Sequence, residues 1–255
     1  MEKLSVVIIT KNEENNIERC LQSISWADEI IVLDSHSTDR TVEICQKYNC
    51  RTEQTEWLGF GPTKQKAVNM ASNSWILSID ADEEVSPALK DRIQLILKMD
   101  NLRRKDGYRL KRQSWYLNKW IKFSGWNKDY PLRLFNRYKG GFNNKLVHES
   151  VQVRGSVGKL NEVLYHYAYQ NLKAHIDKIK SYGDLTAGHK INEGKRGSVA
   201  KALLHGIVKF IHMYVIKGGF LDGKMGLVLA INSSYGVYFK HLLHWEKTCL
   251  KNKGI

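Results

Sequence analysis

Cysteine is scarce in this chain of 255 residues: Cys20, Cys45, Cys50 and Cys249 stand apart, with no CxxC spacing. That usage fits neither a disulfide scaffold nor a structural zinc site, and it suits a reducing compartment. Long uncharged runs are missing as well. No stretch of about 18 residues is free of charge, which argues against a membrane-spanning helix. Met1 leads into a charged pair and a strand-like run without the pattern of a signal peptide, so a cytoplasmic, globular protein is the expectation. There is no GxGxxG after the first apolar run and no GxxxxGK[ST] anywhere. Dinucleotide and P-loop readings therefore lose their main support. Internal repeats and low-complexity linkers are also absent, and NEGKRGS (192–198) is the one plausible hinge.

What is present supports a core: 42% of residues are hydrophobic, enough for one large domain or a domain with an appendage. The charge is uneven. Residues 1–98 hold 11 Lys+Arg against 16 Asp+Glu, residues 99–198 hold 21 against 8, and residues 199–255 hold 8 against 2. An acidic first part suits a cation, and a basic remainder suits an anionic partner. Nucleic acid, anionic lipid and phosphorylated glycan all match that sign.

The first hundred residues alternate between strand and helix patterns. LSVVIIT (4–10), EIIVLD (29–34) and WILSID (75–80) read as buried parallel strands, with a short strand near 50–54. Helices are expected up to Ile24, capped by Asn12 or its neighbours, then over about 40–48 and 61–71, and from Ser86-Pro87 to Lys98. Such alternation means a parallel sheet whose ligands gather at the carboxyl ends of its strands. Polar residues concentrate there: Thr10, Asn12 and Glu13, then Asp34, Ser37, Thr38 and Asp39, then Asp80 and Asp82. Asp80-Ala81-Asp82 places two carboxylates at a strand end. There they can serve a hard divalent cation and a sugar or ribose.

SVVIITKNEENNIERCLQSI, IIVLDSHSTDRT, GPTKQKAVNMA and WILSIDADEEVSP, in this order and spacing, resemble glycosyltransferase family 2 with the GT-A fold. PLRLFNR (131–137), KLVHES (145–150) and GFLDGKMGLVLA (219–230) extend the resemblance towards the lipopolysaccharide core β-1,4-glucosyltransferase group. It implies that Thr10, Asn12 and Glu13 form the first-strand loop holding the nucleotide and that Asp34 reads uracil or ribose. It also implies that Lys64 and Lys66 lie near the donor, and that Asp80 and Asp82 are the DxD, with Asp82 the better metal ligand for Mg²⁺ or Mn²⁺. From the residues alone, Glu13 and Asp39 serve equally well at helix starts, and the lysines as a solvated face.

The acceptor then falls to the second hundred residues. Segment 103–145 mixes Arg103, Arg104, Arg109, Arg112, Arg133 and Arg137 with Trp115, Tyr116, Trp120 and Trp126. Aromatic faces stack on sugars and arginine forks grip phosphates, although single-stranded nucleic acid would be served as well. Inverting transfer needs a base for the attacking hydroxyl. By position in the family Glu149 is the first choice and Asp129 the second, with His148 as base, substrate orienter or metal neighbour.

In the tail, Lys201, His205, Lys209 and His212 form a basic stripe on an otherwise apolar helical pattern over 199–217. That reads as an interfacial helix, with a packed helical hairpin or an oligomer interface as the bland alternative. GFLDG (219–223) should break it before a second apolar stretch at 225–244.

Together these features make an α/β chain with a mostly parallel central sheet and a C-terminal helical, membrane-associating extension. Residues 1–98 would bind a nucleotide-sugar, 99–190 the acceptor, and 199–255 the membrane surface. The implied activity is inverting, metal-dependent transfer of a hexose from a UDP-sugar, glucose from UDP-glucose, to an anionic phosphorylated glycolipid. The acceptor would be an inner-core heptose at the cytoplasmic face of a bacterial inner membrane. Polyprenyl phosphate or another envelope glycan is the alternative acceptor. A silent scaffold and a nucleic-acid-binding module are alternatives of another class, with no nucleic-acid partner expected.

Overall fold

The computed structural model describes residues 2–145, 149–180, 183 and 197–252. They fall into two compact units, Met1–Gln113 with Lys128–Tyr167, and Ser114–Asn127 with Ala168–Ile255.

The first unit is built on a sheet. β1 (Leu4–Thr10) is apolar on both faces and nearly all buried, as a strand covered by helices on each side must be. It pairs in parallel with β2 (Glu29–Asp34) and with β4 (Trp75–Asp80), while β2 pairs with β3 (Arg51–Gln54). The crossovers are α1 (Ile17–Ile24), α2 (Thr41–Lys47) and α3 (Phe60–Met70). The apolar stripe Ile17, Cys20, Leu21 and Ile24 of α1 is buried against the sheet. β5 (Glu83–Val85) leads to α4 (Pro87–Lys98), whose first turn is closed by Ser86 Oγ accepting from Leu89 N at 3.2 Å.

Beyond β4 the sheet becomes antiparallel. β6 (Gly107–Tyr116), β8 (Leu132–Asn136) and β11 (Val157–Tyr169) complete the order β3-β2-β1-β4-β8-β6-β11-β5. The expected parallel sheet is thus confined to the first four strands, because the later strands are not separated by helices that could cross over. β9 (Gly140–Phe142) and β10 (Val151–Val153) form a separate antiparallel pair.

The boundaries predicted for the first hundred residues fall within a residue or two of those observed, except at α1. That helix begins at Ile17 rather than after Asn12, which takes a left-handed φ of 55° and ties together the first two strand loops.

In the second unit, β7 (Lys119–Trp120) pairs with the end of β6. Helix α5 covers 172–180, and α6 (Val199–Ile211) continues through a π-helical turn, His212–Ile216. Gly218 at φ 67° and Gly223 at φ 63° bracket a 3-10 turn before α7 (Gly223–Asn252), so GFLDG does interrupt the helices. Asp222 is buried and accepts from the backbone N–H groups of Lys122 and Phe123 at 3.1 and 2.9 Å. Tyr116, Ile121, Met213, Leu229 and Ala230 make this unit's core. Val199–Ile216 is long and apolar enough to cross a membrane by length and composition, and it is mostly exposed. Lys201 and Lys209 interrupt the run, which is why a search for charge-free stretches passes over it.

Candidate active site

Parallel pairing aligns the carboxyl ends of three strands, with Thr10 in register with Asp34 and Ile9 with Asp80. The loops beyond β1 and β2 are sewn together. Asn12 N donates to Ser37 Oγ, and Asn12 Oδ1 accepts from Thr38 N, both at 2.8 Å. Asp34 is fully buried and accepts from Ser37 N at 2.9 Å and from Ser37 Oγ. Glu13 receives the Asn16 amide at 2.8 Å, and its backbone N–H bonds Thr41 Oγ1. Asp39 accepts from Thr41 N, at the first residue of α2. Desolvation opposes its ionisation, but bonds from Thr41 and Glu14 outweigh this and hold it below the ordinary aspartate value.

At the end of β4, a buried lysine links two carboxylates. Lys64 Nζ lies 2.7 Å from Asp80 Oδ1 and 2.7 Å from Glu149 Oε1. Arg133 takes the other oxygen of Asp80 and reaches Glu83 at 2.9 Å. Arg112 joins Glu83 at 3.0 Å to Asp129 at 2.6 Å. Desolvation works against an ionised Asp80, but Arg133 and then Lys64 overcome it and hold the carboxyl well below the usual range. Asp82 has a different neighbour, His166 on β11, with Nε2 3.4 Å from Oδ2.

Lys64 is thus a buried clamp, whereas Lys66, two residues on, is exposed and donates to Thr55 Oγ1 at 2.8 Å. His148 lies outside the described residues. The arginines assigned to an acceptor surface are largely engaged within the protein. Arg104 pairs with Glu2, Arg112 and Arg133 are in the network above, and Arg137 donates to backbone carbonyls of Ala71 and Asn69. Tyr116 is fully buried, and Trp115 packs edge-on to Trp120.

Sequence reasoning missed Glu83, His166 and Ser35. His166 is 84 positions beyond Asp82, and only the antiparallel register His166↔Glu83 brings them together. Thr10 Oγ1 and Ser35 Oγ are buried at neighbouring strand ends without hydrogen-bond partners among the described residues. Buried hydroxyls are normally satisfied, so this pair marks a place where a polar ligand would complete the site.

Asp82 and His166 supply an oxygen and a nitrogen close together beyond the end of β4, a donor set that fits a divalent cation. Both oxygens of Asp80 are already held by cations. Among the described residues no group of three or more His, Cys, Asp or Glu side chains converges. Any cation here would complete its shell with substrate or water.

The α/β sheet, with Asp80 and Asp82 at the end of β4, the joined loops after β1 and β2 beside them and Glu149 held against Asp80 by Lys64, is that of a glycosyltransferase. The chain matches glycosyl transferase family 2 over residues 5–151 and belongs to that family, as its motifs led one to expect. An uncharacterised glycosyltransferase of Rickettsia conorii is 32% identical over 266 residues, spanning 100% of this chain and 93% of the relative. LpsC of Rhizobium meliloti, a lipopolysaccharide core biosynthesis glycosyltransferase, is 29% identical, spanning 94% of this chain and 93% of its own. The crystal structure of S. aureus TarS 1–349 in complex with UDP-GlcNAc is similar at a TM-score of 0.48 and 15% identity, covering 99% of this chain and 92% of that one.

Proposed function

We propose that this glycosyltransferase moves glucose from UDP-glucose, with inversion, onto an inner-core heptose of lipopolysaccharide at the cytoplasmic face of a bacterial inner membrane. The observation that carries the transfer chemistry is Lys64, 2.7 Å from both Asp80 and Glu149. It supports Glu149 as the base, because it fixes that carboxylate beside the DxD. Asp129 is held further along the network, through Arg112 and Glu83. The acceptor class rests on likeness to LpsC, and the hexose on the resemblance of the motifs.

In this reading Thr10, Ser35 and Asp34 face the nucleoside, and Asn12 keeps their two loops in one arrangement. Glu149 accepts the proton of the attacking hydroxyl as its oxygen bonds to the anomeric carbon. The bond from that carbon to the diphosphate breaks, and UDP leaves with the electron pair. Asp82 and His166 would hold Mg²⁺ or Mn²⁺, which when bound neutralises charge on the leaving diphosphate. The exposed apolar face of α6 supports an enzyme working at a membrane surface on a lipid-anchored acceptor.

Calorimetric titration with UDP-glucose, UDP-galactose and UDP-N-acetylglucosamine, each with and without Mn²⁺, tests the donor side. Metal-dependent binding of UDP-glucose, lost in Asp82→Ala and in His166→Ala, is the expected outcome. Preference for another donor would overturn the choice of sugar. Silence towards every donor and towards UDP would remove the catalytic reading.

A further inference from the structure

Helix α6 has three distinct faces. At about 100° per residue, Lys201, His205, Lys209 and His212 share roughly a quarter of its circumference. On one side of that stripe lie Leu203, Leu204, Ile207 and Ile211, between 45% and 59% exposed. On the other side Ala202 and Gly206 are buried, and Gly206 is close-packed on Tyr238 of α7. The basic stripe therefore runs between an apolar surface and the α6–α7 seam.

Basic side chains meet across the seam. His205 stacks flat on His241 of α7, with ring centroids 4.5 Å apart and planes 6° from parallel. Lys209 is half-buried, and its ammonium is disfavoured first by desolvation and then by the charge of Lys240. Among the described residues, Lys201, Lys209 and Lys240 have no ion-pair partner. Crowded cations bordering an apolar face are unfavourable in water alone, and an anion placed between them would relieve the repulsion. A helix that sinks its apolar face into the acyl boundary carries its flanking cations to the depth of the lipid phosphates.

We propose that the α6–α7 seam is a binding site for the headgroup phosphates of an anionic bilayer, with Lys209 and Lys240 supplying charge and the stacked His205–His241 pair lying beside them. This rests on the membrane-surface reading above and adds a specific demand for negative lipid.

The test is sedimentation of the full chain with vesicles of phosphatidylcholine, with and without phosphatidylglycerol. Tighter binding to the anionic vesicles is expected, weakened roughly fivefold by each of Lys209→Gln and Lys240→Gln, with no effect of either on phosphatidylcholine alone. Lys209→Arg with Lys240→Arg should retain the preference, which separates charge from folding. Glutamine variants that bind anionic vesicles as well as the parent would overturn the proposal. So would displacement by inorganic phosphate but not by chloride of equal ionic strength, which would make the seam a small-anion site. Leu204→Asn with Ile207→Asn tests the membrane reading separately. Loss of binding to both vesicle types there, alongside indifference to the lysine changes, would leave the membrane reading standing and remove the phosphate site. Absence of binding to either vesicle, or a dimer broken by the asparagine pair, would remove both.

Discussion

Asp80 and Asp82 lie two residues apart and meet different partners. Residues two apart in an extended chain point to the same side, but here the chain turns between them, out of β4 and towards β5. Asp80 is held by Lys64 and Arg133, while Asp82 faces His166. The same separation of roles applies to the two candidate bases. Glu149→Gln should lower kcat by about 10²–10⁴ with KM for donor little changed, since it removes a proton acceptor and keeps the shape. Asp129→Asn should lower kcat by less than tenfold, because its carboxylate serves to anchor Arg112. Steady-state kinetics on both variants decides the assignment. Equal losses would place the chemistry on the network as a unit, and a larger loss at Asp129 would exchange the two roles.

Among the elements, α3 decides where Glu149 can sit. Its first turn presses against the segment that follows β9. A Cβ added to Gly61 would lie 2.2 Å from the carbonyl oxygen of Asn143 and 2.6 Å from that of Lys145, and Gly61 N donates to Lys145 O at 3.1 Å. Any side chain there must push that backbone away, and with it the approach of Glu149 to Lys64 one turn along the helix. Gly61→Ala is therefore expected to destabilise the fold by about 1–3 kcal/mol and to lower kcat by more than tenfold. Denaturant unfolding and initial-rate assays on the same preparation check both effects. A variant with unchanged activity would show that Glu149 is positioned by something other than this contact.

For the whole molecule, the two units should respond to acid in different ranges. In the second, burial, and after it the charge of Lys178, pushes His175 down to about 4. It packs against Tyr169 and shares a 2.9 Å hydrogen bond with Tyr116. The unfolded chain protonates this histidine near 6.5 and the native unit does not, so its contribution is present above that value and is lost as pH falls towards 4. A loss of roughly 3 kcal/mol is expected across that window and should be absent in His175→Phe. Asp80, in the first unit, has a depressed value instead. Its contribution is present above the unfolded aspartate value of about 4 and fades only at lower pH. Amide hydrogen exchange as a function of pH would resolve the two. Simultaneous loss of protection in both units near pH 6 would contradict this order.

The sequence by itself determined the first four strands, the helices between them and the family, because each rests on local periodicity and on short motifs that need no distant partner. Apolar β-branched runs, the Ser86-Pro87 helix start and the DxD at the end of WILSID are all legible within a few residues. Tertiary structure alone decided what the charged side chains are for. Six arginines and an aromatic cluster look like an acceptor surface in one dimension. Yet Arg133 and Arg112 are drawn into the ion-pair network around Asp80 and Glu83, and Tyr116 is enclosed in the second unit's core, because buried carboxylates need cations and rings need cover. Likewise His166 carries no signal of its own in the chain. It meets Asp82 because β11 folds back antiparallel beside β5, and that register is set by the packing of the sheet rather than by any pattern within YHY.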